Sequence, residues 1–208
     1  MGTKTTRYVR SFTVTLSLLF VGSATEYVTG GNGIKIPSYP SNLIILLLFI
    51  GYLLCTFYLF RKTKLLSWFT SIPATISVIS VYTFLIVLMG FIPQQTNNNF
   101  IGQIGISHIS SSIPFVLLSL LLLMVLAYTL LKRLQNGFKF KNIAFLLNHS
   151  GLFVIITAGS LGTGDMTTIT MVVDEGTSSN LGYKQDNTPY RLPFAVVLND
   201  FSVDEYTP

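Results

Sequence analysis

The sequence predicts a mainly α fold: a polytopic membrane helix bundle of about five transmembrane helices, followed by a small β-rich extracytoplasmic segment. Three observations carry that prediction. Half of the 208 residues are hydrophobic and only 10% are charged, against about 25% charged in an ordinary soluble domain. Mean hydropathy is +0.61, concentrated in long uncharged runs for which a bilayer is the natural solvent. Cations and acids also fall into opposite sets of connections, as the two sides of a membrane require.

A spanning helix needs about 20 predominantly apolar residues, and five segments meet or approach that length, at about 9–28, 42–60, 72–92, 113–131 and 143–162. The first, from Val9 to Val28, is the weakest, because Thr, Ser and Glu26 dilute it. The second, beginning at Asn42, is apolar almost without interruption. The third follows Pro73 and stops before Pro93, the fourth begins beside Pro114, and the fifth runs from Ile143 to Gly162. A basic start, an apolar run and Gly22-Ser23-Ala24 imitate a secretory signal with a small-residue cleavage site. The first span is read here as a retained anchor, and cleavage would leave the other spans oriented as they are.

Orientation follows from Lys and Arg in the short connections, which stay cytoplasmic. One side collects Lys4, Arg7, Arg10, Arg61, Lys62, Lys64, Lys132, Arg133, Lys139 and Lys141, ten cations and no acid. The other carries Lys35, Lys184 and Arg191 against all eight acids, so a split of +10 and −5 sums to the net +5. The expectation is a bacterial cytoplasmic (inner) membrane protein with its N-terminus inside and its C-terminal segment outside. The basic balance thereby reads as a topology signal, and no nucleic-acid partner is expected.

Residues 1–162 are expected to form the bundle and 163–208 the outer segment. Thr167–Val173 and Phe194–Leu198 are patterned as strands, with a turn region at Gly182–Asn187 between them. A unit of this size rarely buries enough surface to fold without disulfides or a metal, and the chain reaches Pro208 directly after another strand-like stretch, SVDEY. Its sheet is expected to be completed by further chain or by a partner.

Candidate chemistry is sparse. A single cysteine, Cys55, excludes a disulfide framework and a cysteine metal site; in the middle of the second span it reads as a small packing residue. His149 lies about 10 Å into the fifth span, where an ionisable side chain is costly and commonly serves a proton path, a ligand or a cofactor. Neutral imidazole is a good iron ligand whose other nitrogen needs an acceptor; the structural alternative is a hydrogen bond to a neighbouring helix. His108, in an uncharged polar outer connection, reads as a solvated loop histidine. About 20 Å of depth separates the two imidazoles, so they cannot share one iron. Trp68 and Phe69, beside a basic cluster, read as an interfacial anchor. Gly151, Gly159, Gly162 and Gly164 are spaced for close helix contact followed by an exit turn. The string Gly-Thr-Gly-Asp at 162–165 lacks the Lys-Ser/Thr of a nucleotide loop, and no Cys-x-x-Cys-His motif, zinc-protease helix or Ser-His-Asp order is present. No residue is assigned a catalytic role.

At 147–208 the pattern resembles the ResB/CcsB family, the membrane half of system II cytochrome c biogenesis. The resemblance rests on LNHSGLFVIITAGSLG, DMTTITMVVDEG and LPFAVVLNDFSVDEY, with His149, Gly151, Leu152, Glu175, Gly176, Leu192, Pro193, Phe194, Leu198, Asp200 and Phe201 as the matching residues. It covers under a third of the chain; the earlier spans match only as hydropathy. The resemblance implies that the chain moves haem b to the outer face and presents it, with a CcsA-type membrane partner, to apocytochrome c in the periplasm. It implies that His149 is an axial ligand of the haem iron, with the opposing imidazole supplied by the partner, and that the chain is not catalytic alone but forms half of a cytochrome c haem lyase. Lys139 or Lys141 could meet the haem propionates. The chain departs from the family in its short outer domain and in lacking a returning C-terminal helix, which suggests an N-terminal fragment. Two competing readings remain: a non-haem membrane scaffold for an outer β domain, and a small-solute transporter subunit with His149 as a proton-coupled site.

Overall fold

The computed structural model describes residues 4–94, 100–135, 137, 140–184 and 186–202. The chain falls into two compact units, Met1–Gly164 and Asp165–Pro208. The first contains α1 (Lys4–Val28), α2 (Ser41–Phe60), α3 (Lys64–Phe69), α4 (Ile72–Phe91), α5 (Phe100–Gln103), α6 (Ile113–Gln135) and α7 (Ile143–Gly162). Five of these helices, α1, α2, α4, α6 and α7, are long and apolar enough to cross a membrane. They coincide with the five expected spans, except that α1 starts earlier and α6 ends later, each carrying its basic flank into the helix.

α6 is the central helix. Leu118, Leu121, Leu122, Val125, Leu126 and Tyr128 are buried along it, and α1, α2, α4 and α7 all pack on it. Its partners are mostly exposed: α2 buries only Asn42, Leu53 and Phe57, and α7 only Leu146 and Thr157. Large apolar side chains therefore cover the outside, the arrangement a helix bundle adopts when hydrocarbon replaces water.

The weak hydropathy of α1 has a structural cause. Its buried residues are Ser11, Thr15, Gly22 and Glu26, whose spacings of 4, 7 and 4 place them on one helix face, and that face packs on α4 and α6. Polar and small residues are what membrane helices use at close interfaces. Thr15 Oγ1 lies 3.1 Å from Ser77 Oγ of α4, and Trp68 Nε1 donates to Ser11 Oγ at 3.1 Å. Trp68 thus binds α1 rather than serving only as a surface anchor. At Gly22 the helices approach so closely that an added Cβ would sit 2.6 Å from Pro114 Cα of α6. The small residue that imitated a cleavage site is the one that lets α1 reach α6.

Other packing expectations are corrected. Cys55 is exposed, so it faces away from the core instead of filling it. Gly151, Gly159 and Gly162 have nothing within 4 Å of where a Cβ would stand, and only Gly164 makes a close approach, to the backbone of Pro37.

Contacts between elements sort the helix ends. Ser11 meets Trp68, Lys132 Nζ donates to Thr70 Oγ1 at 2.8 Å, and Arg133 donates to Asn142 Oδ1 at 2.8 Å, which gathers the start of α1, the α3–α4 connection, the end of α6 and the start of α7. At the other end Asn42, at the start of α2, donates to the carbonyl of Leu161 near the end of α7, and Glu26 meets Ile113 at the start of α6. The described cations of the ten-cation set all belong to the first end; Lys139 lies outside the described residues.

The second unit is a three-stranded antiparallel sheet in the order β1 (Ile169–Thr170), β2 (Ser178–Lys184), β3 (Pro189–Val197). Two strand expectations are revised. Only Ile169 and Thr170 of the expected 167–173 strand pair, with Lys184 and Tyr183, and β2 takes Gly182–Lys184 out of the expected turn region. Its polar sequence SSNLGYK lacks the β-branched alternation that marks a strand, and its pairing with β3, Leu181 opposite Arg191 and Gly182 opposite Tyr190, defines it instead. Of SVDEY, all but Ser202 lies outside the described residues.

Candidate functional site

His149 is the seventh residue of α7, which places it about 9 Å along the helix from Ile143. The turn before α7 is fixed by Arg133, whose guanidinium donates to Asn142 Oδ1 and stands 5.4 Å from the centroid of the Phe145 ring. Phe145 in turn stacks on His149, with centroids 3.8 Å apart and planes 28° from parallel. The spacing of four puts both rings on one helix face. Guanidinium, phenyl and imidazole thus form a continuous stack at the cation-rich end.

His149 Nδ1 lies 3.0 Å from the carbonyl oxygen of Phe145. A carbonyl can only accept, so the proton of this contact is on Nδ1 and the lone pair of the neutral ring is on Nε2. Among the described residues nothing binds Nε2. The arrangement is the one a metal-binding imidazole needs: one nitrogen held by a backbone acceptor, the other free to coordinate. The ring is half-buried, on a helix whose surface is otherwise largely open, with Leu147, Leu152, Val154 and Ile155 exposed. Lys141, one of the two lysines considered for haem propionates, is exposed in the turn that precedes α7.

His108 is not a solvated loop residue. Its side chain is 12% exposed, and Nε2 lies 3.0 Å from Oε1 of Glu26, which is fully buried. Glu26 also accepts from Gly33 N–H on Oε1 and from Ile113 N–H on Oε2, both at 2.7 Å. The Ile113 N–H is one of the four amides that a helix start leaves without an internal partner, and the positive end of the helix dipole lies there. One carboxylate therefore closes the start of α6, the 29–34 loop and the His108 turn. Gly33 has φ +66°, and a Cβ there would stand 2.9 Å from Ser111 O, so only glycine presents its amide to Glu26 in this way. The sequence contained one usable signal: an acid alone in an apolar helix has to find donors.

The two histidines lie toward opposite ends of the bundle. His108 sits before Ile113 and the stack on His149 begins at Arg133, about 30 Å away along α6. They do not come together, as the depth argument expected. Among the described residues no group of three or more His, Cys, Asp or Glu side chains comes together either.

In the second unit, the Glu175-Gly176 turn is joined to Leu198, the residue that follows β3. Gly176 N–H donates to Leu198 O at 2.8 Å and Leu198 N–H to Thr177 O at 3.2 Å. Phe194 and Phe201 are exposed, because a three-stranded sheet alone offers little to cover them.

Fold and site together define a class: a helical chain with five membrane-length helices, a small antiparallel sheet and one ligand-competent imidazole. No protein-family model, no curated protein and no solved structure matches this chain.

Proposed function

We propose that this chain is a haem-handling membrane component of the ResB/CcsB type, which carries haem to the outer face and presents it, with a CcsA-type partner, for attachment to apocytochrome c. The observation that carries the reading is His149, with Nδ1 tied to the Phe145 carbonyl and Nε2 without a partner among the described residues. The resemblance at 147–201, of which His149 is a part, points to the same role.

In this reading the bundle lies in the inner membrane with its cation-rich end in the cytoplasm, as the charge split favours. Haem is cargo. His149 Nε2 supplies one axial ligand, and an imidazole of the partner supplies the other. Lys141, exposed in the turn before α7, is a cation that could meet a propionate; Lys139, the other candidate, lies outside the described residues. Phe145 holds the imidazole plane by stacking, and its carbonyl raises the basicity of Nε2 through the Nδ1–H bond. The open surface of α7 is where a partner helix would pack. In this reading thioether bonds form only with the partner.

The test is an optical spectrum of detergent-purified protein co-expressed with a CcsA-type partner under haem-replete conditions. A Soret band in the wild type, lost in His149→Gly and restored by added imidazole, is the expected result. Colourless wild type and variant would overturn the ligand role of His149 and favour a non-haem scaffold.

A further inference from the structure

Between α2, α6 and α7, at the end opposite the cation cluster, lies a groove of about 650 Å³, inside the range of ordinary ligand sites of about 300–1,000 Å³. Its lining has a polar end and an apolar end. Lys35, Ser110, Ser111, Ser160 and Thr163 line it near the helix termini, and Phe49, Leu120, Leu123 and Ile156 line it deeper in the bundle. Along α6 the lining runs from Phe115 to Leu123, about 12 Å of helix, close to the depth of one leaflet in a hydrocarbon core of about 30 Å. Lining residues Ile45, Leu120 and Ile155 are 43%, 39% and 70% exposed, so the groove opens sideways onto surfaces that a bilayer would cover.

Charge and donor chemistry narrow the occupant. Lys35 is the only charged residue in the lining, and among the described residues it makes no ion pair. Ser111 and Thr163 already donate their hydroxyls to the carbonyls of His108 and Ser160, so the polar end offers one ammonium and the hydroxyls of Ser110 and Ser160, a set suited to a single phosphate. The lining contains no His, Cys or Met, so a haem here would lack an imidazole or sulfur ligand, and one cation would face two propionates.

We propose that this groove binds an anionic glycerophospholipid of the adjacent leaflet, with one acyl chain between α6 and α7 and its phosphate against Lys35. The site is separate from His149, and the proposal holds whether or not the chain handles haem.

The test uses the full chain in nanodiscs of phosphatidylcholine containing a minor fraction of phosphatidylglycerol with a photoactivatable diazirine in its acyl chain. After irradiation, cross-linked peptides are mapped by mass spectrometry. Labelling is expected to concentrate on 115–123 and 155–161, and to fall about fivefold in Lys35→Gln, the effect of losing one cation near a lipid headgroup. Leu120→Trp, at a partly exposed position, is expected to suppress it by filling the groove. Labelling spread evenly over the exposed faces of α2, α4 and α7 would overturn the proposal, as would labelling that neither variant changes. Displacement of the label by equimolar haemin would assign the groove to haem and overturn the lipid assignment.

Discussion

Glu26→Ala removes the acceptor for three donors at once: Gly33 N–H and Ile113 N–H at 2.7 Å, and His108 Nε2 at 3.0 Å. Hydrogen bonds to a charged group contribute about 1.5–3 kcal/mol each, so the two short backbone bonds alone amount to about 3–6 kcal/mol. Water reaching this end of the bundle offsets part of that. Allowing for that water, we expect Glu26→Ala to cost about 3–5 kcal/mol. Glu26→Gln keeps one carbonyl oxygen but turns an NH₂ group toward a donor, so its cost should lie between those of Ala and the wild type. The assay is equilibrium unfolding by SDS in mixed lipid–detergent micelles, followed by the fluorescence of Trp68. It is the only tryptophan, and its Nε1 bond to Ser11 reports whether α1 is docked. A Glu26→Ala protein within about 1 kcal/mol of wild type would refute the claim that this carboxylate ties α1 to α6.

Further predictions follow from the same contacts. Gly22→Val drives side-chain atoms into Pro114 of α6 and should sharply reduce the folded fraction in a detergent thermal-stability assay, whereas Gly151→Ala, with open space at its Cβ position, should leave it unchanged. A double-mutant cycle on Thr15→Val and Ser77→Ala should give a coupling of about 0.6 kcal/mol and at most about 1.7 kcal/mol, the span measured for hydrogen bonds between membrane helices; zero coupling would show that the 3.1 Å contact contributes nothing. In the β2–β3 turn, Thr188 Oγ1 and Thr188 N–H both donate to Asp186, and these bonds hold its carboxyl below the usual aspartate value. A lowered folded-state pKa gives stability that is present above the unfolded value and lost as pH falls through the folded one. Protection of the Thr188 amide, relative to its intrinsic exchange rate, should therefore fall as pH drops through the carboxyl's lowered folded-state pKa, and in Asp186→Asn that pH dependence should disappear.

The five helices and their segregated charge were legible in the sequence because each depends on local composition. Twenty apolar residues satisfy their own backbone within one helix, and a cation at a helix end reports its side of the membrane without reference to any neighbour. The candidate role of His149 was legible for a similar reason, since an imidazole well inside an apolar span stands out on one helix alone. Tertiary structure decided what depends on distant pairs. It placed Glu26 against Ile113 and His108, more than 80 positions away in the chain, and turned a solvated loop histidine into a partly buried, hydrogen-bonded one. It made Gly22 a helix crossing and left Cys55 and Gly151 at open surface. It also defined β2 through its pairing with β3. Burial and hydrogen bonding belong to pairs of residues, and in an apolar chain the sparse polar groups choose their partners only after the helices have packed.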